Sequence, residues 1–347
     1  MIWVLLAAVA LWLLGGKFAV SSRARWASLG ALYGLVLGLL VLLPADHPLA
    51  VALGGTAGEW LVFGALGLAI YAYRHVLGKL KARAQPLAEP VRPGAYQATE
   101  LERYARHIML REIGGPGQKK LKAARVLVVG AGGLGSPALM YLAAAGVGTI
   151  GVIDDDVVEA TNLQRQIAHT DARIGMPKVF SAEAAMKAVN PCVTVRPYHR
   201  RLAADMAADL LADYDIVLDG TDNFSTRYLV NATCVAAGKP LVSGALTQWE
   251  GQISVFDPAS GAPCYQCVFP EAPADGLAPT CAEAGVLGPL PGVIGAMMAV
   301  EAVKVIVGAG EPLLGRMMIY DALYGESRNI RVQRRPGCET CGRLQAR

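Results

Sequence analysis

Three apolar runs open the chain: Met1–Gly16, Trp26–Leu43 and about Leu49–Tyr73, the last interrupted by Glu59. A bilayer core takes about 20 apolar residues per helix. The second run therefore reads as a membrane span. The first is short and can borrow Lys17 by snorkelling, and the third reads as a span that begins near Glu59 or Trp60. Beyond Tyr73 the pattern changes to short apolar, β-rich runs alternating with helix-favouring stretches. Arg125–Val129, Thr149–Ile153 and Asp215–Leu218 read as strands, Pro137–Ala145 and Phe224–Val235 as helices, and Met317–Tyr320 and Asn329–Gln333 as closing strands. Pro291–Val307 is a long apolar helix, but Glu301 and Lys304 within it favour core packing over a further span. This alternation predicts a doubly wound α/β sheet whose second half adds antiparallel strands, preceded by an all-α transmembrane region.

Composition agrees with that division. The 347 residues are 17% charged, against roughly 25% in an average soluble protein, and mean hydropathy is +0.38. Lys17, Arg23, Arg25, Asp46 and Glu59 are the only charged residues before Arg74. The remainder has ordinary globular composition and the length for a sizeable core. A net charge of +4 is too weak and diffuse to point to nucleic acid. The first run lacks a basic leader and a small-residue cleavage site, which disfavours a cleaved secretory signal. Lys17, Arg23 and Arg25 lie between the first two runs, and Arg74, Lys79, Lys81 and Arg83 follow the third. The excess of positive charge on cytoplasmic loops then predicts a multi-pass protein of the inner, cytoplasmic membrane with its large domain in the cytoplasm. The expected organisation is a membrane anchor of three helices over 1–84, a linker over 85–98 containing Pro86, Pro90 and Pro93, and a globular domain over 99–347.

The candidate chemistry begins after the first predicted strand. Gly130-Ala131-Gly132-Gly133-Leu134-Gly135 joins that strand to a helix, the arrangement of a Rossmann-like nucleotide cradle. Bulk at Cβ would keep phosphates from the backbone N–H groups, and the helix N-terminus offers partial positive charge. Thr149–Ile153 ends in Asp154, 24 residues after Gly130, where a carboxylate can accept from ribose hydroxyls. So far the pattern suits a dinucleotide oxidoreductase equally well. Arg165, within Asn162-Leu163-Gln164-Arg165-Gln166, and Lys178 shift the reading towards a triphosphate. Asp222, in Asp219-Gly220-Thr221-Asp222-Asn223 at a strand's C-terminal end, is placed to hold magnesium against phosphate oxygens. The bland alternatives are a solvated face for the two cations and a helix N-cap for Asp222.

Four of seven cysteines form Cys264-x-x-Cys267 and Cys338-x-x-Cys341, two knuckles that can supply four thiolates to one tetrahedral zinc. A redox pair is the competing reading for either motif alone. Cys281 stands in a loop before a helix, where a nucleophilic role competes with that of a merely positioned thiol. Cys192 and Cys234 fall in apolar surroundings and read as core residues. The histidines show no metal-ligand spacing.

In combination and order, RYARHI, GAGGLGSP, NLQRQ, Lys178, DGTDN, LVSGA, EGQISVF, CYQC, TCAEAGVLGP and GCETC resemble the ThiF/MoeB/HesA adenylyltransferases, bacterial relatives of ubiquitin-activating enzymes. The resemblance runs from about Leu101 to Cys341 and includes none of the apolar runs. It implies ATP-dependent adenylation of the C-terminal glycine carboxylate of a small ubiquitin-like sulfur carrier of the MoaD or ThiS type, ending in Gly-Gly. It implies that Gly133 approaches the phosphates within a turn formed by Gly130, Gly132, Gly133 and Gly135, and that Asp154 binds ribose. Arg165 and Lys178 would contact the triphosphate and Asp222 magnesium, with Asn162, Gln166 and Asn223 beside them. Arg106 would reach the partner subunit's ATP, making a homodimer the active form. The cysteine pairs match the family's zinc site, and a cysteine stands at the position of Cys281. No sulfurtransferase domain follows Arg347, so the expected sulfur donor is a separate protein. An NAD-dependent oxidoreductase and a non-catalytic membrane scaffold are the competing classes.

Overall fold

The computed structural model describes residues 2–18, 21–44, 46–83, 96, 98–273 and 284–344. The chain divides into two compact units, Met1–Pro90 and Val91–Arg347.

The first unit is helical: α1 (Ile2–Lys17), α2 (Ser22–Leu42), α3 (Pro48–Leu53) and α4 (Ala57–Arg83). The third apolar run is thus two helices, broken at Gly54 and Gly55, whose φ angles of 69° and 86° end α3. Glu59 belongs to the restart. Its carboxylate accepts from the Thr56 N–H at 2.8 Å while Thr56 Oγ1 accepts from the Glu59 N–H at 3.3 Å, a reciprocal capping box. The Tyr33 hydroxyl donates to the Trp60 carbonyl at 2.7 Å, tying α2 to α4, and Val4, Val36 and Trp60 form a small core. Most other large apolar side chains of the unit, Leu61, Val62, Phe63, Leu66, Leu68 and Ile70 among them, are exposed. Ala24–Leu42 and Pro48–Lys79 are long and apolar enough to cross a membrane, whereas the apolar part of α1, Leu6–Lys17, is shorter.

In the second unit, α5 (Ala98–Ile108) and α6 (Gly114–Ala123) precede β1 (Arg125–Val129), α7 (Gly135–Ala145), β2 (Thr149–Ile153), α8 (Lys178–Val189), β3 (Thr194–Tyr198), α9 (Ala204–Ala212), β4 (Ile216–Asp219) and α10 (Phe224–Ala237). Then come β5 (Leu241–Leu246), β6 (Glu250–Phe256), the short α11 (Tyr265–Val268), α12 (Pro289–Val307), β7 (Arg316–Asp321) and β8 (Glu326–Arg331). The strands form one sheet in the order β3-β2-β1-β4-β5-β6-β7-β8. β1 to β5 are parallel, with Val128 opposite Val152 on one side and Leu218 on the other, and β6 to β8 run antiparallel.

The continuous apolar run of β1 follows from burial on both faces. Val126 and Val128 pack with residues of α7, α8 and α12, while Leu127 and Val129 pack with residues of α9 and α10. α12, although as apolar as a membrane span, is half buried within this unit. Glu301 accepts from the Leu313 N–H at 2.8 Å and pairs with Lys304, so both charges serve the fold.

Two local expectations need correction, and one of the bland alternatives is removed. The last strand is Glu326–Arg331 rather than Asn329–Gln333. Asp321 Oδ1 accepts from the Leu323 and Tyr324 N–H groups, and this hairpin turn sets the register. Cys192 is exposed rather than core, because it follows the turn in which its N–H bonds Asn190 Oδ1 at 3.1 Å, whereas Cys234 is buried. The cap of α10 is Asn223, whose Oδ1 accepts from the Thr226 N–H at 2.9 Å, not Asp222.

Candidate active site

The order of strands reverses between β1 and β4. Connections after β1 lead to one side and those after β4 to the other, which opens a crevice at the C-terminal strand ends. A cleft of about 980 Å³ lies there. Its floor is the glycine turn. Gly130 has a φ of 93° and donates to the Ile153 carbonyl at 2.9 Å, a backbone conformation that a side chain would strain. At Gly133, itself in the cleft lining, a Cβ would stand 3.1 Å from Pro291, another cleft-lining residue, so a side chain there would crowd the space beside the turn. Gly132 also lines the cleft, while Gly135 does not; a Cβ there would meet the Gly130 carbonyl, so its part is to close the turn.

The Ala131 peptide is fixed from both ends. Its N–H donates to Asp154 Oδ2 at 2.7 Å, and its carbonyl lies 2.9 Å from His169 Nε2. His169 Nδ1 is 2.9 Å from Ser181 Oγ, so this buried imidazole ties the turn to α8. Burial lowers the His169 pKa, and burial raises that of Asp154 against the opposing bond from Ala131. Asp154 Oδ1 also accepts from the Asp156 N–H at 2.8 Å.

Two cations face the turn. Lys178 is only 5% exposed. Its N–H donates to the Asp156 carbonyl at 2.9 Å and its Nζ to Asp156 Oδ2 at 2.7 Å, so one residue positions both ends of the lysine. Arg165 is held by the Thr161 carbonyl at 3.2 Å and Asn162 Oδ1 at 3.0 Å. Asn162 itself does not line the cleft; it orients Arg165. Gln166 does line it, and its buried Oε1 has no hydrogen-bond partner among the described residues. Opposite, Asp222 is exposed in the cleft, and with Asn223 providing the helix cap its carboxylate makes no hydrogen bond among the described residues. Arg106 lies exposed on α5 and does not line the cleft within this chain. Cys281 falls outside the described residues.

Away from the cleft's glycine turn, Cys264, Cys267, Cys338 and Cys341 are all buried, with their sulfurs within 4.8 Å of one another. Cys264 Sγ lies 3.8 Å from Cys267 Sγ and 3.7 Å from Cys338 Sγ, and Cys267 Sγ lies 3.3 Å from Cys341 Sγ. These separations far exceed a disulfide bond. Four thiolates around a tetrahedral zinc at about 2.3 Å stand about 3.8 Å apart, so the donor set fits that ion in number, chemistry and spacing.

The ThiF family model matches residues 104–340. The chain belongs to the ThiF family. The sulfur carrier protein adenylyltransferase of Thermus thermophilus is 49% identical over 247 residues, covering 70% of this chain and 91% of that protein. The SAMP-activating enzyme E1 of Haloferax volcanii is 48% identical over 245 residues, covering 71% and 90%. The probable adenylyltransferase/sulfurtransferase MoeZ of Mycobacterium tuberculosis is 50% identical over 254 residues, covering 72% of this chain but only 64% of MoeZ. Among solved structures, E. coli MccB shares the fold, with a TM-score of 0.62 at 24% identity over 69% of this chain and 74% of that one. Within the ThiF-family domain, sequence reasoning missed Asp156, His169, Asp219 and Arg227. The third aspartate of Asp154-Asp155-Asp156 and the first of Asp219-Gly220-Thr221-Asp222-Asn223 were the visible hints.

Proposed function

We propose that this chain is an ATP-dependent adenylyltransferase that activates the C-terminal glycine carboxylate of a small sulfur-carrier protein. The observation that carries the reading is the convergence of the open glycine turn, Arg165, Lys178 and Asp222 on one cleft at the strand-order reversal. The names of the Thermus and Haloferax relatives, nearly all of whose length is matched, support the substrate class.

The chemistry needs no strong base, because a terminal carboxylate is already ionised at neutral pH. The obstacle is bringing an anion to a polyanion. In this reading the Gly132 and Gly133 backbone receives phosphate oxygens at the N-terminal end of α7, and Lys178 and Arg165 neutralise negative charge on the triphosphate. Asp154 faces the ribose. One carboxylate oxygen of the carrier bonds to the α-phosphorus as the bond to the β-phosphate bridging oxygen breaks. Pyrophosphate leaves, and the carrier is left as an acyl-adenylate. A thiol or persulfide from a separate donor can then displace AMP. Asp222 would hold magnesium, since its carboxylate is exposed and otherwise unengaged; the ion would supply charge neutralisation on phosphate oxygens. The four cysteines would hold zinc and join the segment after β6 to the C-terminal tail.

The active form is a homodimer in which Arg106 serves the partner's cleft; the exposed Ile167, Ile174, Met176 and Phe180 beside the Lys178 segment support an apolar contact surface there. The first unit anchors the enzyme in the cytoplasmic membrane with the ThiF-family domain inside. A pyrophosphate–ATP exchange assay with carriers ending in Gly-Gly tests the reaction. Exchange that depends on both carrier and terminal glycine is expected, and absence of exchange with every such carrier counts against the reading. Retention of NADH on purification would instead favour the oxidoreductase class.

A further inference from the structure

One buried cation in the cleft wall has no part in the reaction as just described. Arg227, on the first turn of α10, is 5% exposed. Its Nη1 donates to Ser243 Oγ at 3.2 Å, and its Nη2 donates to the Gly244 carbonyl at 2.8 Å and to the Thr221 carbonyl. A single planar guanidinium therefore bridges the loop after β4 to the middle of β5. Its counter-charge is Asp219, fully buried at the end of β4, with Oδ2 3.9 Å from Arg227 Nη1 and no hydrogen bond to that oxygen among the described residues. Asp219 Oδ1 accepts from the Thr221 N–H at 3.0 Å and from Thr221 Oγ1 at 2.7 Å.

Thr221 is thus held at its N–H, its hydroxyl and its carbonyl by one buried ion pair. The residue peptide-bonded to that carbonyl is Asp222. No polar contact of Asp222's own fixes its carboxylate among the described residues, so its placement rests on the peptide before it and on the Asn223 cap after it. The other end of the bridge, Gly244, lies on the strand that runs on to Ala245 and Leu246 in the cleft lining.

We propose that Arg227, seated by Asp219, is the positioning residue for Asp222: it sets where the magnesium–triphosphate ligand stands relative to β5. This rests on the adenylyltransferase reading for its context, but the juxtaposition and its first test do not need the carrier. A guanidinium is required because its rigid fork reaches two carbonyls and a hydroxyl at once, whereas an ammonium on a flexible stem cannot hold all three.

The test uses the 347-residue chain in detergent and two variants. Arg227→Lys keeps the charge but loses the fork. Thr221→Val keeps the shape and removes only the hydroxyl bond to Asp219. Binding of manganese(II) together with a non-hydrolysable ATP analogue is read by electron paramagnetic resonance, alongside circular dichroism melting. Loss of charge-assisted bonds predicts that Arg227→Lys weakens analogue-dependent manganese binding about tenfold, and Thr221→Val about threefold. Nucleotide binding without metal should change less than twofold in both, a split that a merely structural role would not produce. Folded variants with wild-type manganese affinity overturn the proposal; if Arg227→Lys does not fold, Thr221→Val decides it in the same way. Absence of carrier-dependent exchange in the wild type would refute the adenylation reading while leaving the metal-binding result to judge Arg227.

Discussion

Replacing Lys178 with glutamine isolates a deeply held cation that faces the glycine turn. Lys178 Nζ is 2.7 Å from Asp156 Oδ2, and the lysine side chain is 6% exposed against 65% for the aspartate. Glutamine keeps most of the side-chain stem, and an aspartate left facing water loses little, so stability should shift by less than about 1 kcal/mol. The effect on ATP is of a different size. A phosphate oxygen about 4 Å from the ammonium gains at most about 4 kcal/mol at an effective dielectric of 20. Because Asp156 already balances part of that charge, the loss should fall in the range of other charged hydrogen bonds, about 1.5–3 kcal/mol. That corresponds to a drop of roughly 10- to 150-fold in kcat/KM for ATP. Pyrophosphate exchange at saturating carrier measures it, with a thermal melt confirming the fold. A folded Lys178→Gln protein with unchanged kcat/KM for ATP would refute the claim that this cation meets the triphosphate.

Gly133→Val forces a branched side chain against Pro291, where even a Cβ would stand 3.1 Å away; ATP affinity by equilibrium dialysis should fall about tenfold or more as the backbone donors are screened. Cys338→Ser removes one member of the buried sulfur cluster. The purified protein should lose stoichiometric zinc by mass spectrometry, and losing a cross-link of about 3 kcal/mol should lower Tm by about 6–12 °C. Burial lowers the His169 pKa from its usual 6.5, so the unfolded chain takes up this proton more readily than the folded one. The stability it contributes is present above pH 6.5 and lost as pH falls below that value towards the folded pKa. Denaturant titrations across that window should show a steeper acid loss for wild type than for His169→Gln.

Where local sequence decides structure, it was readable. β1 and its glycine turn announce themselves because burial on both faces demands an apolar run and the close turn demands glycine. The cysteine knuckles are legible for a similar reason, since two ligands at i and i+3 constrain spacing. What escaped reading depends on contacts distant in the chain. Arg227 looks like an ordinary helix residue until β5 is placed beside it, and His169 acquires meaning only from Ala131, 38 positions earlier. Asp156 is hidden among three neighbouring aspartates, and its bond to Lys178 spans 22 residues. β8 was misplaced because all its residues are exposed; without a buried face, apolar periodicity carries no information about register. Asp222 and Asn223 compete for one cap by composition, and only the backbone settles which side chain remains for the cleft.

The most direct measurement is the intact mass of a sulfur carrier incubated with this enzyme, ATP and magnesium in the absence of any sulfur donor. The account predicts a carrier heavier by one AMP moiety, attached at the C-terminal glycine and removed by hydroxylamine. A carrier of unchanged mass, under conditions where the enzyme binds both ATP and carrier, would contradict it.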